Sequence, residues 1–182
     1  TVIIEDSFIH DCTAEGIDIG ATSATVTVRN NTIANVPTFG IFAGNEGTPG
    51  FVTIEDNLLI DNGTSGAGNN NDAIGIGDGV PGSLVQRNII KNQKSGLGSA
   101  IDLQDSTSAA TVVHRALGNK IYNCEAGPGL SSTGTASTLF AGNVVIGCFY
   151  GALPKGVDAT ATQRYYNNTF INSADRGIKI AT

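Results

Sequence analysis

Along the chain, short apolar runs alternate with single polar residues, and the same arrangement returns every 24 to 31 residues. Aligned on one small polar residue, the units read Ser7-Phe8-Ile9, Asn31-Thr32-Ile33, Asn57-Leu58-Leu59, Asn88-Ile89-Ile90, Asn119-Lys120-Ile121, Asn143-Val144-Val145 and Asn168-Thr169-Phe170. Three residues earlier runs an apolar column: Ile4, Val28, Ile54, Val85, Ala116, Phe140 and Tyr165. Four residues later runs a second, mostly polar one: Asp11, Asn35, Asp61, Asn92, Asn123, Gly147 and Asn172. A third short run closes each unit, as GIDI, GIFA, AIGI, AIDL, GLSS, GALP and GIKI. Alternation with period two predicts strands, and helical spacing is absent.

Each unit therefore predicts three short strands joined by turns. The units run in one direction with recurring columns, which excludes simple hairpins. Strands stacked in register, turn after turn, make a parallel β-helix. The expectation is an all-β β-solenoid of about seven coils with three strands per coil, forming one domain over residues 1–182. Asn at the bends tolerates left-handed backbone and can bond the Asn of the next coil through its amide. Loops rich in Gly, Asn, Thr and Ser are expected at 43–51, 62–73, 104–113, 125–137 and 154–164.

These columns resemble the right-handed parallel β-helix superfamily that includes pectate lyases and polygalacturonases. NNNDAIGIGDG and RGIKIAT are similar to polygalacturonase segments. That family also uses a Gly-His-Gly segment, and neither His10 nor His114 stands in one. The lyases imply Ca²⁺ and a basic residue as proton acceptor, roles for which Arg115 and Lys91 are present without a cluster around them.

Composition narrows the class. Hydrophobic residues are 40% and charged residues 14%, with 24 Gly. This suits a turn-rich β protein with a sizeable core. The net charge of −6 argues against nucleic acid, and no apolar run approaches a membrane span. With no Met at all, the chain reads as a processed mature protein or a segment of a longer one, extracellular or at the cell surface.

Candidate chemistry is sparse. Aligning Ile74 with Ile101 places Asp78 beside Asp105 in adjacent coils, with Asn45 in the same column one coil earlier and Asp102 projecting outward nearby. Stacked acids of this kind suit a glycosidase pair at Asp78, Asp102 and Asp105, a Ca²⁺ site at Asn45, Asp78 and Asp105, or simple turn formation. Otherwise no cofactor is expected. His10 and His114 are expected at the surface. Cys12, Cys124 and Cys148 share one column; the last two, in adjacent coils, read as stacked buried thiols or as a disulfide. Sequons begin at Asn30, Asn62 and Asn167. An outward strip holding Phe8, Leu58, Ile60, Ile89, Ile146 and Ile171 is too apolar for a solvated face and is a candidate lateral contact surface.

The two ends carry one pattern with opposite charge. AEGIDIGAT near the start matches DRGIKIAT at the end, placing Arg176 opposite Glu15 and Lys179 opposite Asp18. Stacking one molecule on another would bring Phe170 onto Ile9 and Ile178 onto Ile17. A head-to-tail contact of this kind does not close, so it builds a fibre. The leading expectation is an extracellular, non-catalytic solenoid subunit that polymerises head to tail. The other is a module of a secreted polysaccharide lyase, hydrolase or carbohydrate-binding protein acting on acidic polysaccharide.

Overall fold

The computed structural model describes residues 1–20, 24–44, 50–64, 71–93, 98–105, 112–124, 127–157 and 161–180. Asn45 lies outside them, and so does the side chain of Asp105.

The first coil holds β1 (Val2–Glu5), β2 (Phe8–His10) and β3 (Ile17–Ile19). The second holds β4 (Val26–Arg29), β5 (Thr32–Ala34) and β6 (Ile41–Ala43), and the third β7 (Val52–Glu55), β8 (Leu58–Ile60) and β9 (Ile74–Ile76). Then follow β10 (Ser83–Gln86), β11 (Ile89–Lys91) and β12 (Ile101–Asp105) in the fourth coil, and β13 (Val113–Leu117), β14 (Lys120–Tyr122) and β15 (Pro128–Gly134) in the fifth. The sixth has β16 (Ser137–Ala141), β17 (Val144–Ile146) and β18 (Tyr150–Val157), and the seventh β19 (Gln163–Tyr166), β20 (Thr169–Ile171) and β21 (Arg176–Ile178). First, second and third strands of successive coils pair in parallel, giving three seven-stranded sheets. This is the parallel β-helix that the repeat columns require.

One side chain per coil from each sheet meets on the axis. The second sheet contributes Ile33, Leu59, Ile90, Ile121 and Val145, the first Val28, Ile54, Val85 and Phe140, and the third Ile41, Ile74, Ile101 and Leu130, all buried. Each large one buried this way contributes roughly 1.5–3 kcal/mol.

The bends use two columns of left-handed backbone. One is Asp6, Asn30, Asp56, Arg87, Gly118, Gly142 and Asn167; the other is the second polar column, Asp11 to Asn172. Their φ values lie between 50° and 69°, where Asn, Asp and Gly carry the smallest steric penalty. Arg87 is the exception, and its guanidinium is tied to Asp56 at 2.7 Å and Glu55 at 2.9 Å. The aligned Asn residues follow directly after the first column and do not adopt left-handed φ themselves. Their work is the ladder. Asn31 Nδ2 donates to Asn57 Oδ1 at 3.1 Å, and the same bond recurs from Asn57 to Asn88, Asn88 to Asn119, Asn119 to Asn143 and Asn143 to Asn168 at 2.8–3.0 Å. In this column the bend and the ladder are split between neighbours, whereas in the second polar column Asn123 does both, adopting left-handed φ and donating Nδ2 to Asn92 Oδ1 at 3.3 Å.

Two other expectations are corrected. His114 is fully buried, not at the surface. It occupies the inward column that begins with Val26 and Val52 and turns polar at Ser83, His114 and Thr138. Ser83 Oγ lies 3.0 Å from His114 Nδ1, which compensates part of the burial. His10 is exposed as expected and stacks on Phe8 with ring centroids 4.4 Å apart. Segments read as loops at 125–137 and 154–164 hold all of β15 and the end of β18, whose Gly- and Pro-containing sequences disguise the longest strands of the third sheet. Asn62, the head of a sequon, is buried, and its Oδ1 accepts the Val36 amide at 3.2 Å.

Candidate functional site: a carboxylate recess on the third sheet

Outward positions of the third sheet align as Asp18, Phe42, Gly75, Asp102, Ser131 and Leu153. Gly75 leaves a gap between Phe42 and Asp102. The rings of Phe39 and Phe42, 4.6 Å apart and tilted by 42°, lean over it. A Cβ on Gly75 would come within 3.0–3.1 Å of both rings, so the glycine makes room for the aromatic wall. What remains is a recess of about 80 Å³ lined by Phe39, Phe42, Asp72, Gly75, Asp78, Asp102 and Gln104.

Two carboxyls form its floor. Asp102 points away from the solenoid axis, as expected, but it is covered and only 5% exposed. Asp72 is 4% exposed, and its Oδ1 accepts the Ser99 amide at 2.5 Å. Burial, and then the nearby Asp102 charge, push the Asp72 carboxyl well above the usual carboxylate range. Burial also raises Asp102, while Lys155 and then the Ser131 hydroxyl act in the opposite direction. Both carboxyls are therefore pushed up by burial, Asp72 the more strongly, and Lys155 and the Ser131 hydroxyl offset only part of the rise at Asp102. Asp102 Oδ1 is buried and has no hydrogen-bond partner among the described residues. An acceptor stranded this way is costly unless something supplies a donor.

Asp78 and Asp102 line one recess. Asp105 extends β12 opposite Gly134. Asp72 was absent from the sequence-derived set because NNND lies at the end of a loop-like run. The available signal was its place two residues before inward Ile74, the position that Ser99 holds before Ile101 in the next coil. Among the described residues no cluster of three or more His, Cys, Asp or Glu is arranged to hold a metal ion.

The first sheet carries an outer ion-pair ladder instead of a site. Arg29 meets Glu5 at 2.6 Å, Arg87 meets Glu55 and Asp56, and Gln86 Nε2 donates to Glu55 at 2.7 Å. On the second sheet the apolar strip falls in two register columns, Phe8, Leu58 and Ile89 in one and Ile60, Ile146 and Ile171 in the other, interrupted by Lys120 and Lys91. Phe8 is 66% exposed, and Ile89 and Ile171 are exposed as well, whereas Leu58, Ile60 and Ile146 are half-buried. At the ends, Ile9 and Phe170 are half-buried, Ile17 is buried, Ile178 and Asp18 are exposed, and Glu15 is half-buried. The two terminal cations have partners within the chain. Arg176 binds Asp175 at 2.7 Å, and Lys179 Nζ lies 3.1 Å from the Tyr150 hydroxyl and 4.8 Å from that ring's centroid.

The fold defines a class, a right-handed parallel β-helix. Residues 1–76 match the family described as right handed beta helix region. No curated protein matches the chain. Among solved structures, the surface protein and adhesin PfbA of Streptococcus pneumoniae is similar at 9% identity and a TM-score of 0.46. The similarity covers 100% of this chain and 63% of that one, so this chain spans less than two thirds of its length. No helix of the described residues is long and apolar enough to cross a membrane.

Proposed function

We propose that this β-helix is an extracellular or cell-surface module that holds a carbohydrate chain along its third sheet, with the recess at Asp72 and Asp102 gripping one sugar unit. The observation that supports this most is the stranded, buried Asp102 Oδ1 beneath the Phe39–Phe42 wall. A sugar presents an apolar ring face for an aromatic wall and hydroxyl donors for carboxylate oxygens. A recess of about 80 Å³ accepts a hydroxyl group and one ring edge, leaving the rest of the polymer along the sheet. Carboxylates on the floor repel uronates, so neutral glycans fit this recess better than acidic ones.

The same pair has the parts of a glycosidase. Asp72, whose pKa burial raises the more strongly, would donate to the glycosidic oxygen, and Asp102, beside Lys155, would serve as base or nucleophile. Calorimetric titration against neutral and acidic polysaccharides, with a reducing-end assay beside it, tests both levels. Binding of a neutral glycan that is lost in Asp102→Asn and Phe42→Ala supports the module. Absence of binding across the panel, or binding that ignores both variants, refutes it.

End-to-end stacking is a second reading, favoured by charge. Residues 1–93 carry eleven acidic and three basic side chains, whereas residues 94–182 carry five and seven. Opposite poles orient molecules head to tail. Sedimentation velocity in low and high salt tests it, with salt-sensitive polymer expected and discrete monomer at every concentration refuting it.

A further inference from the structure

Cys12, Val36, Asn62, Gln93, Cys124 and Cys148 occupy one column, each directly after a left-handed turn residue. Side chains here serve the neighbouring coil. The Val36 amide donates to Asn62 Oδ1, and the Cys124 amide donates to Cys148 Sγ at 3.3 Å. Only at Cys124 and Cys148 do two thiols fall in consecutive coils. Both are buried, and their sulfurs touch at 2.6 Å. Adjacent coils lie about 4.8 Å apart, inside the Cα window that a disulfide needs.

We propose that Cys124 and Cys148 are a covalent modification site, joined in the mature protein by a disulfide that clips the fifth coil to the sixth, while Cys12 stays a free thiol. Cys12 is the internal control, because its column neighbour Val36 offers no sulfur. The chemistry is thiol–disulfide exchange with a small-molecule disulfide such as oxidised glutathione. Cys148 attacks one oxidant sulfur as thiolate and releases one small thiol. The Cys124 thiolate then attacks Cys148 Sγ and releases the second. Two protein S–H bonds are lost and one S–S bond forms. The two protons and two electrons leave with the two small thiols. Both sulfurs are buried in the finished solenoid, so the exchange belongs to folding, when the sixth coil first docks on the fifth. The clip sits just before β15 and β18, which carry Ser131 and Lys155 beside Asp102. It therefore fixes the supporting wall of the recess, although the inference stands apart from what the recess binds.

The whole chain is refolded from reductant and denaturant with oxidised glutathione, then alkylated in denaturant and mapped by mass spectrometry. The expected result is a linked peptide pair containing Cys124 and Cys148, with alkylation at Cys12 alone. Three alkylated cysteines, or a link that includes Cys12, would overturn the proposal. Thermal melting gives a second reading that needs no variant. The refolded oxidised protein should melt on the order of 10 °C above the same protein refolded in reductant, because the bond closes a loop spanning 24 residues of the unfolded chain. Equal melting temperatures would count against the clip. Cys148→Ser should melt like the reduced protein in both conditions.

Discussion

Asn57 hands its side-chain amide to Asn88 across 3.0 Å, and the Asn57 backbone amide meets the same Asn88 Oδ1 at 3.0 Å. In turn, Asn88 Nδ2 donates back to the Ile54 carbonyl at 2.9 Å and onward to Asn119 at 3.0 Å. One buried side chain thus joins three coils.

Removing that side chain strands buried backbone groups on one side of the ladder. Asn88→Ala leaves the Asn57 backbone amide without its acceptor and takes a donor from the Ile54 carbonyl, while Asn57 Nδ2 keeps the Val28 and Glu55 carbonyls at 3.0 Å. At about 1–3 kcal/mol for each stranded group, the loss is on the order of 2–4 kcal/mol. Ser7→Ala, at an exposed position where the hydroxyl bonds only the Glu5 carbonyl, should cost less than about 1 kcal/mol. Urea unfolding of the two variants checks the contrast, and equal losses would refute the ladder's role.

Stability should fall as pH rises, in part because of Asp72. Its folded-state pKa is raised by burial and by Asp102, so the folded state holds a proton that the unfolded chain gives up near pH 4. The contribution is complete below about pH 4 and disappears as pH rises through the raised folded value. Asp72→Asn keeps an acceptor for the Ser99 amide and removes the titration. The variant should melt above the native protein at pH 7, with the gap closing near pH 4. A variant that melts lower at every pH would show that Asp72 is not a destabilising buried acid.

Gly75 should be intolerant of any side chain. The added methyl of Gly75→Ala meets both Phe39 and Phe42 at 3.0–3.1 Å and pushes the wall into the recess. Overpacking of this kind costs typically 1–3 kcal/mol. Glycan affinity should fall at least tenfold, and Gly75→Val should abolish binding. Titration of the glycan bound by the native chain reads this directly.

Charge at the two ends sets the polarity of any stack more than its strength. Arg176→Glu with Lys179→Glu should suppress polymer, and adding Glu15→Arg with Asp18→Lys should restore it. The exposed pairs themselves contribute only roughly 0–1 kcal/mol each. Arg176 must leave Asp175, and Lys179 must leave Tyr150, to make the new contacts, which lowers the gain further. Polymer that persists unchanged in the first variant would sink the charge-directed joint.

The local code of this chain is legible in sequence because each coil repeats it. Inward Ile, Val and Leu at fixed offsets, Asn before every second strand after the first coil, and Asn, Asp or Gly at nearly every bend specify strand, ladder and turn by short-range rules. Register follows, because a slip of one residue would turn every inward side chain outward. Tertiary structure alone decided where departures from the repeat go. His114 is buried because it lies two residues before inward Ala116 on the same face of VHRAL, a placement that its polar side chain obscures in sequence, and Ser83 of the neighbouring coil supplies its partner. Asp72 joins Asp102 only once the third and fourth coils stack in the third sheet. The Phe39 wall exists because Gly75, one coil further along, leaves space for it. Periodic contacts follow from repetition, but the recess depends on groups from different coils meeting across the sheet, and that proximity is a property of the folded chain.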